Sequence, residues 1–297
     1  MREVLQLAAL QQKTVTLFET SGITEEGPVL LQGGYGMSEQ MRENLYIVMP
    51  AYNEQENIEK QVGLWYKAMI KLNADQRSRL VVVNDGSTDR TGEILKSMAV
   101  KYPQMVVINK KNGGHGSAVL TGYRYAVKNS ADWVFQTDSD GQVNPDVLSV
   151  VWETSPGKDA VIGRRKDRQD GTMRKFIERV LCTVLLFEFH TVIPDANAPC
   201  RLISRSAMQA YLDVLPETVL LPNAIQTAFL HKYFNIEFVP IAFGTRAAGT
   251  QKMNLRKAAR TGLASIREFR VVEKNIAQKR EAEKKVGTAN AFLSSRN

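Results

Sequence analysis

The sequence is poor in the residues that staple or metallate a small scaffold, with two cysteines, Cys182 and Cys200, and three histidines in 297 residues. Two thiols exclude a disulfide-dense secreted framework and a four-cysteine zinc site, so reduced thiols in a cytosolic protein are expected. His190 and His231 lack the spacing of a metal pair and read as helix residues, and Cys182 reads as core. Long apolar runs are also lacking. The most apolar window, Val180 to Ile193, is 14 residues long and contains Glu188 and His190. A membrane span needs about 20 apolar residues, so this window reads as a buried helix leading into a loop. The opening residues, MREVLQLAALQQK, have neither the apolar core nor the cleavage site of a secretory leader. The expectation is a globular cytoplasmic chain that is not integral to a membrane.

Acidic excess is absent as well, since the net charge is +8. That charge is unevenly placed. Thr245 to Asn297 hold 13 Lys plus Arg against 4 Asp plus Glu, net +9, which leaves about −1 for the first 244 residues. Within this basic region, Leu255 to Arg270 has an amphipathic helical pattern. It is expected to be a C-terminal helix packed on the domain with a solvated basic face, able to approach an anionic membrane surface as a peripheral protein. Further on, Lys274, Lys279, Arg280, Lys284 and Lys285 interleave with Glu273, Glu281 and Glu283, which suits i,i+4 pairing better than a phosphate track. Nucleic acid is not an expected partner.

What is present is a regular alternation. Residues 1–43 have weak periodicity and glycine-rich breakers, and read as an N-terminal extension with no assigned chemistry. After them come apolar runs at Leu45–Met49, Leu80–Val83, Met105–Ile108 and Trp133–Gln136, separated by helical stretches at Glu54–Lys71, Arg90–Lys101 and Ser117–Lys128. Continuous Val- and Ile-rich strands between helices of this length predict an α/β domain, an open, mostly parallel sheet covered on both faces. Ligands in such sheets bind beyond the carboxyl ends of the strands. There the sequence reads PAYNE (50–54), NDGSTD (84–89), NKKNGGHG (109–116) and TDSDGQ (137–142), four polar loops that converge on one edge.

Asp138 and Asp140 stand one residue apart just past a strand. In extended chain they point the same way, so both carboxylates can face one point. Two hard oxygen ligands suit Mg²⁺ or Mn²⁺, ions that also take substrate phosphates, and this points to a diphosphate-bearing substrate. A dinucleotide-dependent oxidoreductase is excluded, because the first strand is followed by PAYNEQ and not by a G-x-G-x-x-G turn.

These four motifs, in this order and spacing, resemble the family-2 glycosyltransferases with the GT-A fold. Among them the sequence is most similar to polyprenyl-phosphate glycosyltransferases related to dolichol-phosphate mannosyltransferase and to soluble bacterial relatives in polysaccharide synthesis. The resemblance runs from Leu45 to about Lys252. It includes AVIGR (160–164), DANAPCR (195–201) and Arg246-x-x-Gly249-x-x-Lys252, with Gln251 where Ser is usual. It implies a GT-A domain over 44–252 and a basic helical region over 253–297. It also implies a metal-dependent, inverting transfer from a UDP- or GDP-sugar to a polyprenyl phosphate or a glycan. By the resemblance, Pro50, Ala51, Tyr52, Glu54 and Asp85 would hold the base and ribose, with Gly116 in the glycine-rich loop near the donor. Asp138 would contact the ribose or sugar, Asp140 would ligate the metal, and Gln142 is a further ligand candidate. Arg164, Arg165, Arg174, Arg179, Arg246 and Lys252 are the candidates for phosphate contacts, the last two through their motif. A sugar hydroxyl acceptor needs a general base, for which Asp195 is the candidate, whereas a lipid phosphate needs none. Two departures stand out: no C-terminal membrane helices, and Asn84 in place of the first Asp of a common Asp-Asp pair. A peripheral membrane-binding module and a non-catalytic nucleotide-sugar binder are the competing readings.

Overall fold

In the computed structural model, the described residues are 43–72, 76–165, 172–216, 219–244 and 264–282. The extension before residue 43 and the motif residues Arg246 and Lys252 lie outside them. Seven strands form one sheet: β1 (Leu45–Ala51), β2 (Arg79–Asn84), β3 (Met105–Asn109), β4 (Trp133–Gln136), β5 (Ala160–Arg165), β6 (Arg201–Ser204) and β7 (Ile236–Ile241). Their order is β3-β2-β1-β4-β6-β5-β7. The helices are α1 (Ile58–Leu72), α2 (Thr91–Lys101), α3 (His115–Lys128), α4 (Val147–Thr154), α5 (Thr172–Phe189), α6 (Arg205–Val214), α7 (Pro222–Tyr233) and, at the C-terminal end, α8 over 264–282.

The sheet runs parallel from β3 to β4, and its chain order reverses between β1 and β4, the kind of switch point where a crevice opens at the strand ends. Every residue of β1 is buried, as expected for a strand covered on both faces. Pro50 sits in this central strand without cost to the ladder. Val48 O accepts from Thr137 N on the β4 side, and Ala51 O accepts from Asp85 N on the β2 side. Pro50 therefore turns its missing N–H toward β4, past the last β1–β4 pair, Val48 with Gln136. The two strands part there, and the loops that follow line the gap.

Three boundaries differ from the sequence pattern. The helix expected from Glu54 begins at Ile58, because residues 54–57 form a turn in which Glu54 O takes the N–H groups of Asn57 and Ile58. The segment Val180 to Ile193, expected as a buried helix, is only half buried. Leu185 and Phe189 face the core while Val180 and Phe187 stand out from it. The strand β6 was not foreseen: it runs antiparallel to β4 and β5 and starts at Arg201, the end of the presumed loop.

Helix α8 packs its Phe269, Val272 and Ile276 into the core cluster that also holds Phe189 and Leu230. Its charges are largely paired with the domain: Arg270 with Glu188, Lys279 with Asp213, and Glu273 with Lys232. Of the stretch expected as an amphipathic helix, Leu255 to Arg270, residues 264–270 are described and are helical, with Phe269 buried. No helix among the described residues is long and apolar enough to cross a membrane.

Candidate active site

The loops at the sheet edge are fastened to one another. After β1, Asn53 N donates to Ser87 Oγ, Glu54 N to Thr91 Oγ1 and Gln55 N to Asp89 Oδ2. The loop after β2 answers, with Thr88 N donating to Asn53 Oδ1 and Arg90 N to Gln55 Oε1. Tyr52 is left half exposed at the rim and Ala51 buried beneath it. Burial raises the Asp89 carboxyl, but bonds from Thr91 and Gln55 outweigh it and hold the group below its ordinary range.

Asn84 explains the departure from an acidic pair. Its Nδ2 donates to Asn109 Oδ1 while its Oδ1 accepts from Ser87 N, a double role that a carboxylate cannot fill. Asp85 accepts from Gly113 N at 3.0 Å, Gly114 N at 2.7 Å and Lys110 Nζ at 2.5 Å. Its carboxylate thus shapes the glycine-rich turn that starts α3. Gly86 must be glycine, since its φ is +70° and a Cβ would sit 2.7 Å from Asn112 N. At Gly116 a Cβ would meet Pro222 Cδ at 2.8 Å, so this glycine lets the N-termini of α3 and α7 come together.

His115, at the start of α3, places Nε2 3.9 Å from Asp138 Oδ1, which brings the glycine-rich loop beside the acidic pair. Asp138 Oδ1 also accepts from Gln136 Nε2 at 3.1 Å. Asp140 is buried and accepts from Gln142 N at 3.1 Å around Gly141. Gln142 in turn donates its Nε2 to Gly244 O and accepts from Gly244 N, and Val143 bridges Phe243. The acidic loop is therefore zipped to the chain leaving β7.

On the other side of the crevice, Asp195 is buried and held by Arg165, through Nε and Nη2 at 2.8 Å each and the backbone N–H at 3.2 Å. Arg164, the neighbour of Arg165 among the phosphate-contact candidates, is exposed. Arg179 is exposed on α5. The side chain of Arg174 lies outside the described residues. Two buried residues escaped the sequence reading. Arg201 is fully buried and donates to Ala198 O, Asn223 O, Gln226 Oε1 and Thr227 Oγ1. Gln136, at the end of β4, is the other. A polar residue closing an apolar strand beside an Asp pair was the available signal for it.

Among the described residues no three His, Cys, Asp or Glu side chains form a metal cage. Asp138 and Asp140 supply hard carboxylate oxygens, a donor set that fits Mg²⁺ or Mn²⁺ completed by substrate phosphates and water. A ligand from Gln142 would be its amide oxygen, the hard donor of the group, with its Nε2 bonded to Gly244 O.

The model of glycosyl transferase family 2 matches residues 46–212, from the first strand through α6. The chain belongs to this family. This family-2 chain is 26% identical over 225 residues to the undecaprenyl-phosphate 4-deoxy-4-formamido-L-arabinose transferase of Photorhabdus laumondii, covering 74% of this chain and 66% of that one. It is 29% identical over 216 residues to the dolichol-phosphate mannosyltransferase of Pyrococcus furiosus, covering 70% and 58%. It thus spans about three fifths to two thirds of the length of these curated relatives. Among solved structures, glucosyl-3-phosphoglycerate synthase from Mycobacterium tuberculosis, in complex with Mn²⁺ and UDP-glucose, superposes with a TM-score of 0.55 at 20% identity, covering 79% of this chain and 83% of that one. The shared fold is GT-A.

Proposed function

We propose that this family-2 chain transfers a sugar from a nucleotide-diphosphate sugar to a polyprenyl phosphate. The observation that carries the reading is the gathering of loops at the β1/β4 switch point, the laced 50–57 and 84–91 loops, the Asp85-braced glycine turn and the acidic pair. The loops after β1 and β2, shaped by Pro50, Ala51, Glu54 and the buried Asp85 and rimmed by Tyr52, would receive the nucleoside. Asp138 and Asp140 would hold the diphosphate through Mg²⁺ or Mn²⁺, which supplies positive charge against the leaving diphosphate. Sequence relatives whose names specify undecaprenyl phosphate and dolichol phosphate as acceptors support this choice.

The state of Asp195 favours a phosphate acceptor over a sugar hydroxyl. A general base must reach the proton that it removes, and this carboxylate is buried with both oxygens on Arg165. An acceptor phosphate is already an anion. Its oxygen forms the new bond to the anomeric carbon as the bond to the nucleoside diphosphate breaks, with inversion and with no proton to move. Arg165 and Asp195 then position the acceptor wall, and Arg246 and Lys252 are the further candidates for phosphate contacts. The basic C-terminal region would favour an anionic, cytoplasmic membrane face, where such acceptors lie.

The test is transfer from labelled UDP- and GDP-sugars with Mn²⁺ to a short-chain polyprenyl phosphate and to free glycans. Lipid-phosphate product with one donor, lost on chelation, is expected. Product on glycans alone would overturn the acceptor assignment, and no product with any donor would overturn the reading.

A further inference from the structure

Gln136 is fully buried at the end of β4, and both ends of its amide are in use. Its Nε2 donates to Asp138 Oδ1 at 3.1 Å, and its Oε1 accepts from Asn223 Nδ2 at 3.3 Å. The direction of this chain is forced. A carboxylate only accepts, so Gln136 must present nitrogen to Asp138 and oxygen to Asn223, which must then present nitrogen. Asn223 pays for that orientation, because its Oδ1 is buried with no hydrogen-bond partner. Turning the amide over would set that oxygen against Gln136 Oε1 and lose the bond.

Asn223 is itself fixed at the first turn of α7. Its backbone oxygen accepts from Arg201 Nη1 at 2.9 Å, and the same guanidinium reaches Gln226 and Thr227 on the next turn. Arg201 stands directly opposite Gln136 in the antiparallel β4–β6 pair. A buried cation on β6 therefore anchors α7, α7 orients Asn223, Asn223 orients Gln136, and Gln136 holds Asp138.

We infer that Gln136, held by Asn223, is a positioning residue that fixes the Asp138 carboxylate for the metal–nucleotide complex. This inference rests on the assignment of Asp138 to the donor and metal. Groups behind ligating carboxylates typically change metal affinity by about 10–100-fold when removed. A bond that merely satisfied a buried amide would change stability alone.

The experiment is an electron paramagnetic resonance titration of Mn²⁺ into the full chain with UDP or GDP present, alongside thermal unfolding and donor kinetics. Gln136→Met keeps the length of the side chain and removes both hydrogen bonds. It is expected to weaken Mn²⁺–nucleotide binding by about tenfold or more, and to raise the donor KM more than it lowers kcat. Asn223→Ala leaves the backbone bond to Arg201 intact. It is expected to weaken binding in the same direction by a smaller factor, and it carries the test should Gln136→Met not fold. Wild-type Mn²⁺ affinity in the folded variant, whatever its melting temperature, would overturn the inference. Failure of the wild-type chain to bind Mn²⁺ with either nucleotide would overturn the metal assignment on which it rests.

Discussion

On the β1–β3 side of the switch point, loops are held by short side chains bonded to backbone N–H groups of the next loop, as in Asn53 with Thr88, Asp89 with Gln55 and Asp85 with Gly113 and Gly114. On the β5–β7 side, the fastenings are cations held by oxygens, the buried Arg201 in its cage and the partly buried Arg165 on Asp195. The first device shapes a surface that a ligand can enter. The second fixes the wall behind it, so variants on the two sides should fail differently.

The acidic pair belongs to the first kind. Asp140→Ala should lower turnover by about 10²–10³-fold, in the range seen when one electrostatic contact to a transition state is lost. The bond it accepts from Gln142 N lies within its own loop, so stability should change far less than turnover. Kinetics and thermal unfolding on the same preparation check this. Near-normal turnover would remove Asp140 from the chemistry.

Arg201→Met should show the opposite signature. The substitution removes four bonds from a buried cage and leaves Ala198 O without its guanidinium donor, while Asn223 O keeps Thr227 Oγ1 and Gln226 Oε1 keeps the Tyr123 hydroxyl, at a cost of about 3 kcal/mol. Chemical denaturation should report that loss directly. If stability were unchanged while donor affinity fell, the comparison between the two sides would collapse, since the cation would then act on the ligand and not on the wall.

The same contrast governs what could be read from the chain alone. The donor-side motifs are contiguous, and each sits after an apolar run, so the strand ends and the loops that carry the acidic pair and the glycine turn are legible in the sequence. The wall depends on register. Whether Arg164 or Arg165 turns inward follows from pairing with β6 and β7, and β6 is four residues long with no flanking pattern to announce it. Arg201 looked like the end of a loop, and Gln136 like the polar end of a strand. Their roles appear only once antiparallel pairing sets them face to face. Helix α1 starts late for a related reason, because residues 53–55 are laced to the neighbouring loop, with Asn53 at φ +54°, and the chain turns through 54–57 before it becomes helical.

The smallest expected effect divides the two sides by pH. His231 on α7 is held below its ordinary 6.5 by burial, with Nδ1 2.6 Å from Thr191 Oγ1. The unfolded chain therefore takes up this proton first, and stability falls as pH drops past about 6.5, until the folded-state group also protonates. Asp89, on the donor side, is held below 3.8 by its hydrogen bonds despite the opposing effect of burial, so its contribution persists until pH falls past that value. Melting temperature against pH should thus show a shallow decline that opens near pH 6.5 and is flattened by His231→Gln. A separate decline below about pH 4 should be flattened by Asp89→Asn. Both groups are partly exposed, so each step should be modest. If His231→Gln left the upper decline intact, α7 would not be the pH-sensitive part of the wall. Because α7 also carries Asn223, a softened α7 near pH 6 should be felt at Asp138 before the laced donor loops loosen.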